Sequence, residues 1–133
     1  MIANLLLRVS IVLLIIGLTL GIVMGIRQDF TLAPAHAHLN LVGFVLMFAA
    51  GLYYRLVPAA AEGLVAKIQA GLHIVGAIVF PIGIAMVVSW GPAYEAAAIV
   101  GSLIVYAAVG LFAYIVYRTT AAPRAVSDPA LAR

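Results

Sequence analysis

The strongest transition-metal donors in this 133-residue chain are three histidines, His36, His38 and His73, and the absence of cysteine removes thiolate, iron–sulfur and Cys-type zinc chemistry. His36 and His38 stand one residue apart in Ala35-His36-Ala37-His38-Leu39-Asn40. A helix turns about 100° per residue, so positions i and i+2 point to nearly opposite sides of it. Two such imidazoles do not grip one small ion together, and the i, i+4 pair with further ligands that zinc favours is missing from this stretch. Each can instead offer one ring nitrogen to an iron on its own side of the helix while a neighbour orients the other nitrogen, an arrangement that suits haem. The competing reading is that the pair only forms hydrogen bonds at headgroup level. His73 lies in a later stretch, about 13 Å deep from the opposite end at 1.5 Å per residue. It reads as a bundle-facing histidine bonded to a carbonyl or a polar helix neighbour, with a metal or proton-pathway role as the alternative.

These histidines sit in a chain that is 67% hydrophobic and 8% charged, with a mean hydropathy of +1.26, whereas soluble domains carry about 25% charged residues. That composition excludes a soluble globular domain and a disordered chain, and a net charge of +3 is too sparse for a nucleic-acid footprint. Four apolar stretches predict an all-α membrane protein with four transmembrane helices: Leu5 to Ile26, Ala33 to Val57, Leu64 to Ser89 and Ala93 to Tyr117. The connectors are Arg27-Gln28-Asp29-Phe30-Thr31, a second through Arg55, Pro58 and Glu62-Gly63, and Trp90-Gly91-Pro92. Residues 1–118 form the membrane domain in this reading, and 119–133 a loose tail. Arg8, Arg55, Lys67, Arg118, Arg124 and Arg133 collect on one side and only Arg27 on the other, so the positive-inside rule predicts cytoplasmic termini in a bacterial-type inner membrane. Small residues at Ala33-Pro34-Ala35 admit a signal-peptide reading, but the run from Val9 to Ile26 is long for one, which favours a retained helix. Gly17, Gly21 and Gly25 recur at a spacing of four and predict a close helix contact, within the bundle or between protomers. Tyr53, Tyr54 and Arg55 read as interface anchors, and Glu95 as a charge at a helix N-terminus.

The stretch from Asp29 to Gly43, with Ala35-His36-Ala37-His38 at its centre, resembles the tenth helix of the haem–copper oxidase catalytic subunit, and Gly43 and Pro58 fit the Gly and the later Pro of that pattern. Lys67-Ile68-Gln69 through Gly76, Phe80 and Pro81 is similar to its eleventh helix. Gly101-Ser102-Leu103-Ile104 through Phe112, Tyr114, Tyr117 and Arg118 is similar to its twelfth. The resemblance covers Asp29 to Arg118. It implies that His36 and His38 are haem ligands, the first matching the ligand of the high-spin haem and the second that of the low-spin haem. The family subunit has twelve helices in three arcs of four, so the resemblance further implies a homotrimer that rebuilds the ring, with His36 of one protomer and His38 of the next on one iron. Arg27, Trp90 and Tyr94 are the candidate propionate partners, with Asp29 orienting Arg27. An aromatic belt and a surface ion pair are the other reading of this cluster.

The chain departs from the family in lacking the three copper-binding histidines, in carrying Gln69 near the position of a family histidine, and in lacking the Arg pair after Trp90. Copper therefore stays only a candidate cofactor beside haem b, with His73 as its candidate ligand. The resulting expectation is a b-type haem protein for electron transfer, with cytochrome c or quinol as redox partner, or an oxidoreductase acting on O2 or NO if an iron position is open. The rival expectations are a non-catalytic structural or assembly subunit of a respiratory complex, and a metal or proton carrier using His73 and His36.

Overall fold

The computed structural model describes residues 1–121, and every element in it is helical. Helix α1 spans Ile2–Arg27. The second span is composite: α2 (Ala33–His38), a π-helical segment (Leu39–Leu46) and α3 (Met47–Leu56). Helix α4 covers Gly63–Trp90 and α5 covers Glu95–Ala121, with short 3-10 turns at Pro58–Ala61 and Pro92–Tyr94. Four of these units, Ile2–Arg27, Ala33–Leu56, Gly63–Trp90 and Pro92–Ala121, are long and apolar enough to cross a membrane. They match the four apolar stretches to within a few residues. Glu95 opens α5, as its place at an N-terminus predicts. Helix α5 also runs through Thr119 and Thr120 to Ala121, into the stretch read as tail, because both hydroxyls bond back to carbonyls one turn earlier. The rest of that stretch lies outside the described residues.

Burial explains the ordering of the layers. On α1 the inward row is Ala3, Leu6, Ser10, Leu13 and Gly17, while Val12, Ile15, Leu18 and Ile22 point outward and are just as apolar. A helix equally hydrophobic on both faces suits lipid outside and protein inside. The second span lies between α1 and α4, and α5 lies along α4 without sustained contact with α1. The four spans thus form an open arc. At the far end of the arc, Tyr53 and Tyr54 meet Phe112 edge-on, and the Tyr53 hydroxyl bonds Thr119 at 2.6 Å.

Small residues let α4 and α5 touch backbone to backbone. A Cβ at Gly83 would run into the backbone of Ala97 and Ala98, and one at Gly101 into the backbone of Phe80. Neither neighbour is a flexible side-chain end, so the helices themselves would have to part. Gly83→Val should accordingly lower stability by about 1–3 kcal/mol, the usual cost of overpacking. Gly110→Ala, where a Cβ meets nothing within 4 Å, should change it by less than about 0.5 kcal/mol. Reversible unfolding of both variants in mixed micelles checks the contrast.

Candidate functional site

The two histidines of α2 point to opposite flanks of the arc, as the helical turn between them requires. His36 leans on α1, where its Nδ1 lies 2.9 Å from the Gly17 carbonyl. His38 leans toward α4, with its ring edge-on to Phe80 at 4.8 Å between centroids, and its Nδ1 lies 2.8 Å from the Pro34 carbonyl one turn back. A carbonyl only accepts, so in both rings Nδ1 carries the proton and Nε2 keeps its lone pair. Among the described residues His38 Nε2 has no hydrogen-bond partner. The Asn40 amide nitrogen sits 3.3 Å from both nitrogens of His36, which places it beside the ring edge between them, and it donates at 3.1 Å to the His36 carbonyl. The Asn40 amide is thus shared between the two ring nitrogens of His36 and its carbonyl, and it is the one contact that His36 Nε2 makes among the described residues.

The glycine row on α1 makes room for this geometry. A Cβ at Gly17 would collide with the Asn40 amide, and one at Gly21 would come within 2.9 Å of His36 Cε1. Gly25 has open space around it, so the predicted close contact is real for two of the three glycines and is made with side chains of the second span. Asn40 Oδ1, pressed against this row, is buried without a partner. Between the two histidines the outward face of the span carries Ala37 and Leu41, both exposed. Behind them, on the inner side, Ala35 and Leu39 border an apolar cavity of about 240 Å³ between α1 and α4 that neither histidine lines.

His73 belongs to a different setting. It is 2% exposed, its Nε2 lies 3.2 Å from the Val42 carbonyl, and its Nδ1 lies 3.4 Å from the Gln69 amide nitrogen. Gln69 in turn accepts from the Tyr54 hydroxyl at 2.9 Å. Both ring nitrogens are engaged within the chain, so the residues do not fit a copper or other metal ion at His73. Among the described residues no group of three or more His, Cys, Asp or Glu could hold one. Tyr54, expected as an interface anchor, is instead buried as the first member of this file. Arg55 does sit at the helix end, where it donates to Asn4 at 2.8 Å.

The candidate propionate residues fall into two places. Trp90 and Tyr94 pair edge-on at 5.4 Å in the turn between α4 and α5, while Arg27 borders a small cavity with Asp29 and Leu32 at the end of α1. Asp29 and Arg27 form no ion pair among the described residues, although the Arg27 charge acts on the carboxylate. The Asp29 carboxylate accepts from the Thr31 hydroxyl at 2.7 Å and the Thr31 N–H at 3.0 Å, closing the turn that leads into α2. His73 is buried and bonded to a carbonyl and to a polar neighbour on its own helix, as the sequence leads one to expect. Three features escaped that reading: the carbonyls that hold His36 and His38, the π-helical segment, and the continuation of the file to Tyr54.

No family model, curated protein or solved structure matches this chain. The site therefore rests on its own geometry.

The two Thr31 hydrogen bonds, the side-chain bond first, hold the Asp29 carboxyl below the ordinary aspartate range. A lowered pKa in the folded chain means that the turn is fully supported above the unfolded value and loses this support as pH falls through the folded one. The Thr31 amide resonance of the detergent-solubilised protein should follow a titration with its midpoint below about 3.9, and Asp29→Asn should abolish it.

Proposed function

We propose that this chain is a b-type haem protein of the bacterial-type inner membrane, with both termini cytoplasmic, serving electron transfer or small-gas redox chemistry near the outer face. The observation that carries this reading is the pair of backbone carbonyls, Gly17 O and Pro34 O, that hold Nδ1 of His36 and His38, with His38 Nε2 unpartnered among the described residues and His36 Nε2 met only by the Asn40 amide at 3.3 Å. A metal-binding imidazole typically has its second nitrogen held in this way, which sets tautomer and ring direction together. Bound haem would supply a one-electron couple, tuned by its axial ligands and by the polarity around it. Ring rotation of His36 is checked by Asn40 and the glycine row, and that of His38 by Phe80. If both histidines were to hold the haem it would serve electron transfer; if only one did, it would be free to meet O2 or NO.

A homotrimer fits this reading. The histidines flank an exposed strip of Ala37 and Leu41, and neither is enclosed by its own chain, so a second copy laid along the strip would complete the surroundings of each. Closed cyclic assembly of an open arc leaves no unmatched edge. Trp90, Tyr94 and Arg27 stay proposed as polar partners for the haem edge, and cytochrome c or quinol as the redox partner.

The test is haem content by the pyridine haemochrome method with oxidised and dithionite-reduced spectra. About one haem per chain is expected, with sharp reduced bands indifferent to carbon monoxide. His36→Ala and His38→Ala should each retain less than about a tenth of the haem, a loss at least as large as the smallest of the roughly 10–100-fold effects produced by changing residues that only support a metal ligand. A carbon monoxide shift would select the gas-chemistry branch. A chain that stays colourless after haem reconstitution and co-purifies with larger subunits would replace this reading with the assembly-subunit one.

A further inference from the structure

The second span changes helix type directly after His38. From Leu39 to Leu46 it is π-helical, and each i→i+5 turn takes up one residue more than an i→i+4 turn. Closing the segment to α geometry would turn α2 against α3 by the share of one residue, roughly 100°. The facing of His36 and His38 therefore depends on what keeps the segment open. The lower half, α3, cannot follow such a turn: Gly51 is set against Leu7 of α1, and Tyr54 is tied to Gln69 of α4.

Within the segment one carbonyl stands out. The Val42 carbonyl, inside the π-helical turn, is also met from α4 by His73 Nε2 at 3.2 Å, while the Met47 N–H after the segment reaches Phe44 O. In lipid no water can take the place of that donor from α4. His73 is buried, and its other nitrogen faces Gln69 at 3.4 Å, which is itself held by Tyr54. We infer that His73 is a positioning residue: by donating to Val42 it holds the π-helical segment open and thereby sets the direction in which His36 and His38 face. The consequence for haem rests on the function proposed above, whereas the effect on the span does not.

Because the chain has no cysteine, two nitroxides can be introduced cleanly, at Ala37 of α2 and Ile15 of α1, both exposed. Pulsed EPR distances are then compared for the parent pair, His73→Leu, His73→Gln and Gln69→Leu in the full-length protein in bilayers. A turn of roughly 100° on a helix 10–12 Å across displaces the Ala37 label by on the order of 8 Å. His73→Leu should shift or split the distance distribution on that scale, and His73→Gln, whose amide can still donate to Val42, should restore the parent distance. Gln69→Leu, which removes the support of the ring, should broaden it in the same direction, and it decides the matter if His73→Leu does not fold. An unchanged distribution in the folded leucine variants overturns the inference. Haem content measured on the same His73 and Gln69 variants without labels, with Ala37 and Ile15 intact, separates the two readings. A shifted distance in a chain that binds no haem sinks the proposed function alone, and an unchanged distance with normal haem sinks the positioning role alone.

Discussion

Inside lipid, a backbone carbonyl or an imidazole nitrogen has only the protein to bond with, and the second span is where this chain meets that constraint most sharply. All three histidines answer it alike, each giving one ring nitrogen to a carbonyl: Gly17, Pro34 and Val42. They differ in the nitrogen left over. That of His73 turns inward to Gln69, that of His36 meets the Asn40 amide beside α1, and that of His38, on the side of α4, has no hydrogen-bond partner among the described residues. The difference separates a histidine that organises the bundle from two that are available to something outside the chain.

The open arc follows from where the small residues fall. Gly83 and Gly101 bring α4 and α5 to backbone contact, and Gly17 and Gly21 admit side chains of the second span against α1, so each span has a close neighbour on one side. Nothing comparable joins α1 to α5. Large apolar residues such as Leu103 and Tyr106 on α5 and Ile15 and Ile22 on α1 face outward instead. An arc with histidines on both flanks of its second helix accords with the proposed assembly, in which neighbouring copies meet along that helix.

Much of this was legible in the sequence because it depends on local rules. Runs of apolar residues broken by Gly, Pro and charge mark the four spans, and the i, i+2 spacing of His36 and His38 sends them to opposite sides. What escaped depends on contacts between distant residues. Nothing in Leu39–Leu46 distinguishes a π-helix from an α-helix, since the choice turns on His73 more than two dozen residues later. Tyr54 reads as an interface tyrosine until Gln69 is seen opposite its hydroxyl, and Asp29 reads as a partner for Arg27 until the turn at Thr31 claims its carboxylate. In each case a nearer polar partner overrode the simplest inference from position.

The central claim is that His36 and His38 present a bare Nε2 while His73 does not. With only three histidines, 15N-histidine labelling and solid-state NMR in bilayers at mildly alkaline pH reads all three tautomers directly. The account predicts proton-bearing Nδ1 and bare Nε2 for His36 and His38, and proton-bearing Nε2 for His73. Proton-bearing Nε2 on His36 and His38 would contradict it, because the nitrogens facing outward would then be donors with no lone pair to offer a metal.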